Sequence, residues 1–416
     1  MNRRLPFAGS LTLACLMHVQ HVHAEEAAAP EPPPNEPTPD PVAPTPAPAA
    51  PTLDPATSAP ATFNPLKLES AGGNSIKLGI LLQPQYQALS SPTLNGYSQN
   101  LFLRRTRILV GGTLLGVIDY FVDTDYPNLF LSSNVAGEMG APNTSVKAAP
   151  GMNIQDAFAT YKGLGDVFKV DAGFMLPPMS HNAVQGAGTL YSWDYFSYTF
   201  QHTNSFLTSA PPVGRDVGVQ LRGLVLDGHL EYRAGLFQGL RNAQTATDVG
   251  SRNFFRATGR VQVNLLDAEP GFFYAGTYLG TKKIASLGAA FDVQSGYKYF
   301  ALDGIVDLPL GPGVATAQVN LAHWDGGTFI PALVKQTALM GEAGYAFSAV
   351  HLSPIVRIEH LSGSGALANQ SRYGAGVGFW PYGHNSNLKA FYTRTQTSGA
   401  PRGFDQFNLQ WQVYFY

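Results

Sequence analysis

The chain has 416 residues, with 26 Lys and Arg against 28 Asp and Glu for a formal net charge of −2; 13% of it is charged, 12% aromatic, and 44 residues are glycine. Sparse charge with abundant glycine and aromatics fits many short strands better than a helical enzyme. No run of eighteen apolar residues follows the N-terminal segment, which excludes helical membrane spans, and a single cysteine excludes a disulfide framework or a thiolate metal site.

In chain order, residues 1–24 have the parts of a secretory signal: Arg3 and Arg4, an apolar run from Leu5 to Val19, and Val22-His23-Ala24 as a cleavage site. Lipid attachment at Cys15 is the weaker alternative, because Thr12 and Leu13 fit a lipoprotein cleavage box poorly. Residues 25–62 form a Pro/Ala-rich linker with six acids and no Lys or Arg. Such a segment cannot bury enough surface to fold and is expected to be disordered and polyproline-like. It either reaches toward the cell wall, with peptidoglycan as a partner, or is a leader without one. The remainder, 63–416, holds 24 basic and 22 acidic residues.

From residue 75 the pattern becomes one of amphipathic strands. In the last of them Phe407, Leu409, Trp411, Val413 and Phe415 share one parity, while Asn408, Gln410, Gln412, Tyr414 and Tyr416 share the other. A period of two sends successive side chains to opposite faces of a sheet, and about ten residues suffice to cross a membrane at a tilt. Comparable runs lie at 76–83, 101–112, 116–125, 153–163, 166–176, 213–225, 228–238, 253–265, 286–294, 298–309, 313–324, 335–347, 350–361, 371–381 and 386–396. This predicts an all-β fold, a 16-stranded antiparallel transmembrane β-barrel in the bacterial outer membrane. Short connections after every second strand mark the periplasmic side. Segment 266–285 reads as a periplasmic excursion, since a seventeenth strand there would put the later short turns outside.

Phe102-Leu103-Arg104-Arg105-Thr106-Arg107, Gln155-Asp156-Ala157-Phe158, Gly173-Phe174-Met175-Leu176-Pro177-Pro178-Met179-Ser180, Gly214-Arg215-Asp216-Val217-Gly218-Val219-Gln220-Leu221, Ser353-Pro354-Ile355-Val356-Arg357 and Tyr382-Gly383-His384-Asn385-Ser386-Asn387-Leu388-Lys389 occur in this order. As an ordered set over about 75–416 they resemble the phosphate-selective porin O and P family. The resemblance implies a homotrimeric anion channel whose third external loop folds into the pore. One departure is plain: residues 177–214 contain no Lys or Arg, and Leu176 stands where the family tends to have a lysine. Phosphate selectivity therefore does not carry over with the resemblance.

A pore needs a width, a field and a constriction, not covalent chemistry. The polar parity gives Lys77, Arg105, Arg107, Arg222, Arg233, Arg256, Arg260, Arg357 and Lys389 as inward cations that would guide anions. Against them stand Asp119, Asp123, Asp216, Glu231, Glu342 and Glu359, which would otherwise pair with them as wall-stiffening salt bridges. The constriction loop offers Tyr191, Trp193, Tyr195, Phe196, Tyr198 and Phe200, either as a stacking strip for solutes or as packing against the inner wall. His181 and His202 lack metal-site spacing, and no catalytic signature is present. The expectation is a non-enzymatic passive diffusion porin, weakly anion-preferring, for small anions or other small solutes. The other expected partners are outer-membrane lipid, its own copies and, through residues 25–62, peptidoglycan, with no cofactor and no nucleic acid. The alternative is a cell-wall-tethered structural or adhesive barrel with a closed lumen.

Overall fold

A computed structural model of the chain describes residues 66–91, 95–131, 151–199, 214–240, 255–365 and 367–416. The expected signal (1–24) and linker (25–62) lie outside the described residues, as do Phe200 and His202. The strands, in chain order, are β1 (Leu66–Ser70), β2 (Asn74–Ser90), β3 (Tyr97–Leu114), β4 (Ile118–Asp125), β5 (Asn153–Tyr161), β6 (Lys169–Met175), β7 (Asp216–Val225), β8 (Leu230–Phe237) and β9 (Arg256–Asn264). They continue with β10 (Ile284–Gln294), β11 (Tyr297–Leu310), β12 (Gly313–Asp325), β13 (Gln336–Phe347), β14 (Leu352–Gly363), β15 (Gln370–Tyr382), β16 (Ser386–Thr397) and β17 (Phe404–Phe415).

Strands β2 to β17 pair antiparallel, each with its sequence neighbours, and β17 closes the ring on β2 through pairs such as Leu409↔Tyr86 and Val413↔Leu82. The result is a closed barrel of sixteen strands, which leaves no edge and satisfies the backbone within the bilayer. Alternation decides which face is which. On β17, Phe407, Leu409 and Trp411 are 38%, 38% and 51% exposed on the outside, while Asn408, Gln410 and Gln412 are buried on the inside. An apolar outer surface and a polar interior make this a transmembrane barrel of the outer membrane, with the short turns at its periplasmic end.

β1 is a strand that the sequence reading missed. It pairs with the first residues of β2, from Leu66↔Leu78 to Ser70↔Asn74, below the point where β17 leaves off at Phe415↔Ile80. Gly72 and Gly73 turn the chain between them with φ of 81° and 73°, values that disfavour any residue with a Cβ. All of β1 is exposed, so neither parity was marked by burial.

Residues 266–283 form no wall strand, 284 and 285 already belong to β10, and β9 pairs directly with β10. Their inward direction, however, carries no signal in the sequence. The chain leaves β9 at the periplasmic end and turns inward, so that Glu269, Phe272, Tyr274, Ala275 and Thr277 are buried inside the barrel.

Candidate functional site in the barrel lumen

Two segments fill the lumen, one from each end. From the external side the chain leaves β6 at Met175 and stays buried through Thr199, except at Gly186, Thr189 and Ser197. It contains one short helix, α1 (His181–Val184), capped by Ser180, whose Oγ accepts from the Ala183 amide. From the periplasmic side comes 266–283. The two meet in a short parallel contact at Gln185 and Tyr274: the Gly186 amide donates to the Tyr274 carbonyl at 2.9 Å, Tyr274 N–H to the Val184 carbonyl at 3.2 Å, and Gly276 N–H to the Thr189 carbonyl at 2.9 Å. A Cβ at residue 276 would stand 2.6 Å from the Tyr191 nitrogen, so only glycine allows this approach.

Side chains reinforce the junction. The His181 ring stacks on Tyr274 with centroids 4.5 Å apart and an interplanar angle of 7°. Its Nε2 lies 2.9 Å from Glu269, which also accepts from the Tyr278 hydroxyl at 2.7 Å. Burial pushes the Glu269 carboxyl up, but His181 and these donors outweigh it and hold it below the usual carboxylate range.

The inner wall grips both segments through its cations. Asp194 is the only charged residue between 177 and 214. It receives Arg104 at 2.9 Å and Arg105 at 2.6 Å. Burial pushes its carboxyl up, yet the two guanidinium groups and the Tyr195 amide prevail and hold it well below the usual range. Arg357 donates to Ser192 Oγ and to the Asp194 carbonyl, both at 2.7 Å. Lys389 donates to the carbonyls of Leu190 at 2.7 Å and Ser192 at 3.0 Å, and its ammonium sits 4.7 Å above the Trp380 ring. On the periplasmic segment, Arg233 donates to the Phe272 carbonyl at 2.8 Å and Arg222 to that of Pro270 at 3.1 Å.

Most sequence-identified cations are also ion-paired. Arg107 bridges Asp123 and Asp125, each at 3.0 Å; Arg222 meets Asp171 at 2.8 Å and Arg233 meets Glu231 at 2.6 Å. Arg256 meets Asp292 and Arg260 meets Asp303, both at 2.6 Å, and Arg357 lies 2.8 Å from Glu359. Lys77 stands apart at the periplasmic mouth, 3.9 Å above the Tyr416 ring. Each buried pair needs its partner, because a lone charge taken out of water costs several kcal/mol, of order 3–5 when one partner is removed.

The loop aromatics are packed rather than presented. Tyr191 shares a 2.6 Å hydrogen bond with Ser353 Oγ and stacks on Trp380, Tyr195 donates to the Gln185 carbonyl at 2.8 Å, and Tyr198 donates to Gln370 at 2.6 Å. Trp193 and Phe196 are buried beside them. The sequence reading missed Asp194, Glu269, Tyr274 and Asp303. Asp194 alone carried a signal, as the single charge of the longest loop.

A barrel of sixteen strands is wide enough to leave an aqueous channel. Here Asp171, Gln220, Asp292, Asp307, Asn408 and Gln412 are 0% exposed on the inner wall. The two segments therefore occupy most of the described interior. What remains open toward the periplasm is a cavity of about 630 Å³, lined by Lys77, Phe121, Phe158, Phe272, Phe273 and Tyr416 among others.

A closed outer-membrane barrel of sixteen strands with an inward third external loop is porin architecture. The anion-selective porin from Comamonas acidovorans is similar in fold, with a TM-score of 0.56 and 13% sequence identity over 82% of this chain and 100% of that one. OmpT, an outer membrane protein of Vibrio cholerae, is similar at a TM-score of 0.50 and 10% identity over 84% of this chain and 99% of that one. Its loop L8 deletion mutant gives a TM-score of 0.51 at 10% identity, covering 82% and 100%. At such identities the likeness is one of fold. No protein-family model matches the sequence, and no curated protein matches it.

Proposed function

We propose that the protein is a gated outer-membrane porin, a passive diffusion channel for small hydrophilic solutes with a weak preference for anions, phosphate and other oxyanions among them. The observation that carries this reading is the way the wall holds its loop. Lys389 is 2% exposed, pairs with no carboxylate among the described residues, and is satisfied by two loop carbonyls and an indole face. A carbonyl is a weaker partner for an ammonium than an anion is. An anion entering the lumen can replace Leu190 and Ser192 on Lys389, freeing the loop as it passes. The anion-selective character of the Comamonas acidovorans porin and the resemblance to the O and P family agree with this reading.

Single-channel recording in planar bilayers tests it. In a KCl gradient the zero-current potential is expected on the chloride side, and Lys389→Met should move it toward neutrality. A cation-preferring potential would sink the anion preference. A homotrimer with outer-membrane lipid around it belongs to the same proposal, and cross-linking in membranes checks the copy number. The filled lumen favours one competitor, a closed barrel anchored to peptidoglycan through residues 25–62. That reading requires negligible conductance and capture of the protein on purified cell wall.

A further inference from the structure

We infer that the cavity at the periplasmic mouth is a binding site for a small monoanion with a flat aromatic body. This deepens the channel reading by naming a solute class, and its test does not depend on conduction. The volume, about 630 Å³, lies within the range of about 300–1,000 Å³ common for small-molecule sites.

Charge selects the sign of the ligand. Six basic residues line the cavity, and five have carboxylate partners: Lys67 with Glu69, Arg107 with Asp123 and Asp125, Lys169 with Asp166, Arg215 with Asp156, and Arg222 with Asp171. Lys77 is the exception. Among the described residues it has no acid partner, and its ammonium rests on the Tyr416 ring at 3.9 Å. Of the two lining acids, Asp119 accepts from Lys162 at 2.6 Å and from Thr113 at 2.7 Å, and Asp123 faces Arg107. Lys77 is thus the one lining cation without a carboxylate of its own, and it offers an anion a local contact although Arg107, shared by two acids, leaves these pairs without net charge.

Shape selects the body. Phe121 is the hub of a ring cluster, with centroids 5.8 Å from Phe158, 5.6 Å from Phe273 and 5.4 Å from Tyr416. Phe272 continues it, 4.4 Å from Phe158 and 4.9 Å from Phe273. Most of these pairs meet edge to face, so the wall offers both ring faces and ring edges to a planar guest, the arrangement aromatic pairs prefer. Two of the rings come from the periplasmic segment, so the cavity exists only because that segment turns inward. A strongly hydrated anion such as phosphate gains nothing from such a wall, whereas a carboxylate on an aromatic ring uses both the cation and the rings.

The test is calorimetric titration of the purified full chain in detergent with benzoate, acetate, phosphate and benzyl alcohol. Benzoate is expected to bind saturably, with the other three at least tenfold weaker. Lys77→Met should weaken benzoate at least fivefold and Lys77→Arg should restore it, and Phe273→Ala should weaken benzoate while leaving acetate unchanged. Heat-modifiable migration on gels confirms that each variant is folded. Benzoate binding no better than acetate or phosphate, or unchanged in Lys77→Met, would overturn the assignment. A barrel that binds benzoate but passes no current would refute the channel reading and leave this site standing.

Discussion

At the scale of residues, the lumen is organised by the pairing of one carboxylate with two guanidinium groups. Asp194 is the only charge its loop brings inward, and Arg104 and Arg105 both donate to it. Asp194→Asn would leave two buried cations with a neutral partner, a loss of about 3–5 kcal/mol on the scale of broken buried pairs. The expected result is a lower temperature for the heat-modifiable gel transition together with a higher and noisier conductance. Unchanged current would show that this pair does not hold the loop shut. The pH dependence follows from the direction of the shift. The folded carboxyl titrates below the ordinary value of about 4, so its stabilisation is complete above that value and is lost only as pH falls beneath it. Acidification from neutrality to about pH 5 should therefore leave this latch closed.

At the scale of elements, the periplasmic segment has its own anchor with a different pH range. His384, in the turn between β15 and β16, donates from Nε2 to the Thr277 carbonyl at 2.9 Å. Burial pushes its imidazole down to about 4 and nearby Lys389 adds to this, against the Thr277 carbonyl. A folded value below the ordinary value of about 6.5 means that its contribution is full above about 6.5 and drains away as pH falls toward 4. Current should therefore rise over that interval, and His384→Asn, which keeps a donor without titrating, should flatten the rise; a rise that persists would point to another group. Gly276→Val should part the two inward segments, since its Cβ would meet the Tyr191 nitrogen at 2.6 Å. Higher conductance with a normal barrel would bear this out, whereas wild-type conductance would count against the junction as a gate. The wall elements were legible in the sequence because a strand writes its environment at a period of two, as β17 does. The inward course of 266–283 was not legible, because a segment without regular structure has no period to betray which way it faces. Ion pairs such as Arg107 with Asp123 and Asp125 were half legible: parity gave the face, but partners sit across β3 and β4 at positions set by register.

At the scale of the whole molecule, the wall and its filling are separable. Every wall strand is paired on both sides, and closure through β17 and β2 uses no residue of 266–283. The periplasmic segment is anchored to the wall instead by side chains: Arg222 and Arg233 on its carbonyls, Gln262 on Glu269, and Thr277 on Asp307. Replacing 268–281 by a short Gly-Ser turn should leave a barrel that inserts and keeps its β-sheet circular dichroism, because the wall ladder is intact. It would be less stable, since burial of Phe272 and Tyr274 is worth about 1.5–3 kcal/mol each on the scale of large apolar side chains. It would also lose one end of the parallel junction at Gln185, so the external loop keeps only its wall contacts and the open cross-section grows. The expected signature is a larger unitary conductance with the same sign of selectivity, because Arg357 and Lys389 remain on the wall. A shortened chain that fails to form a heat-modifiable barrel would show that the filling is needed to assemble the wall. A folded barrel with the parent conductance would show that the external loop alone sets the constriction.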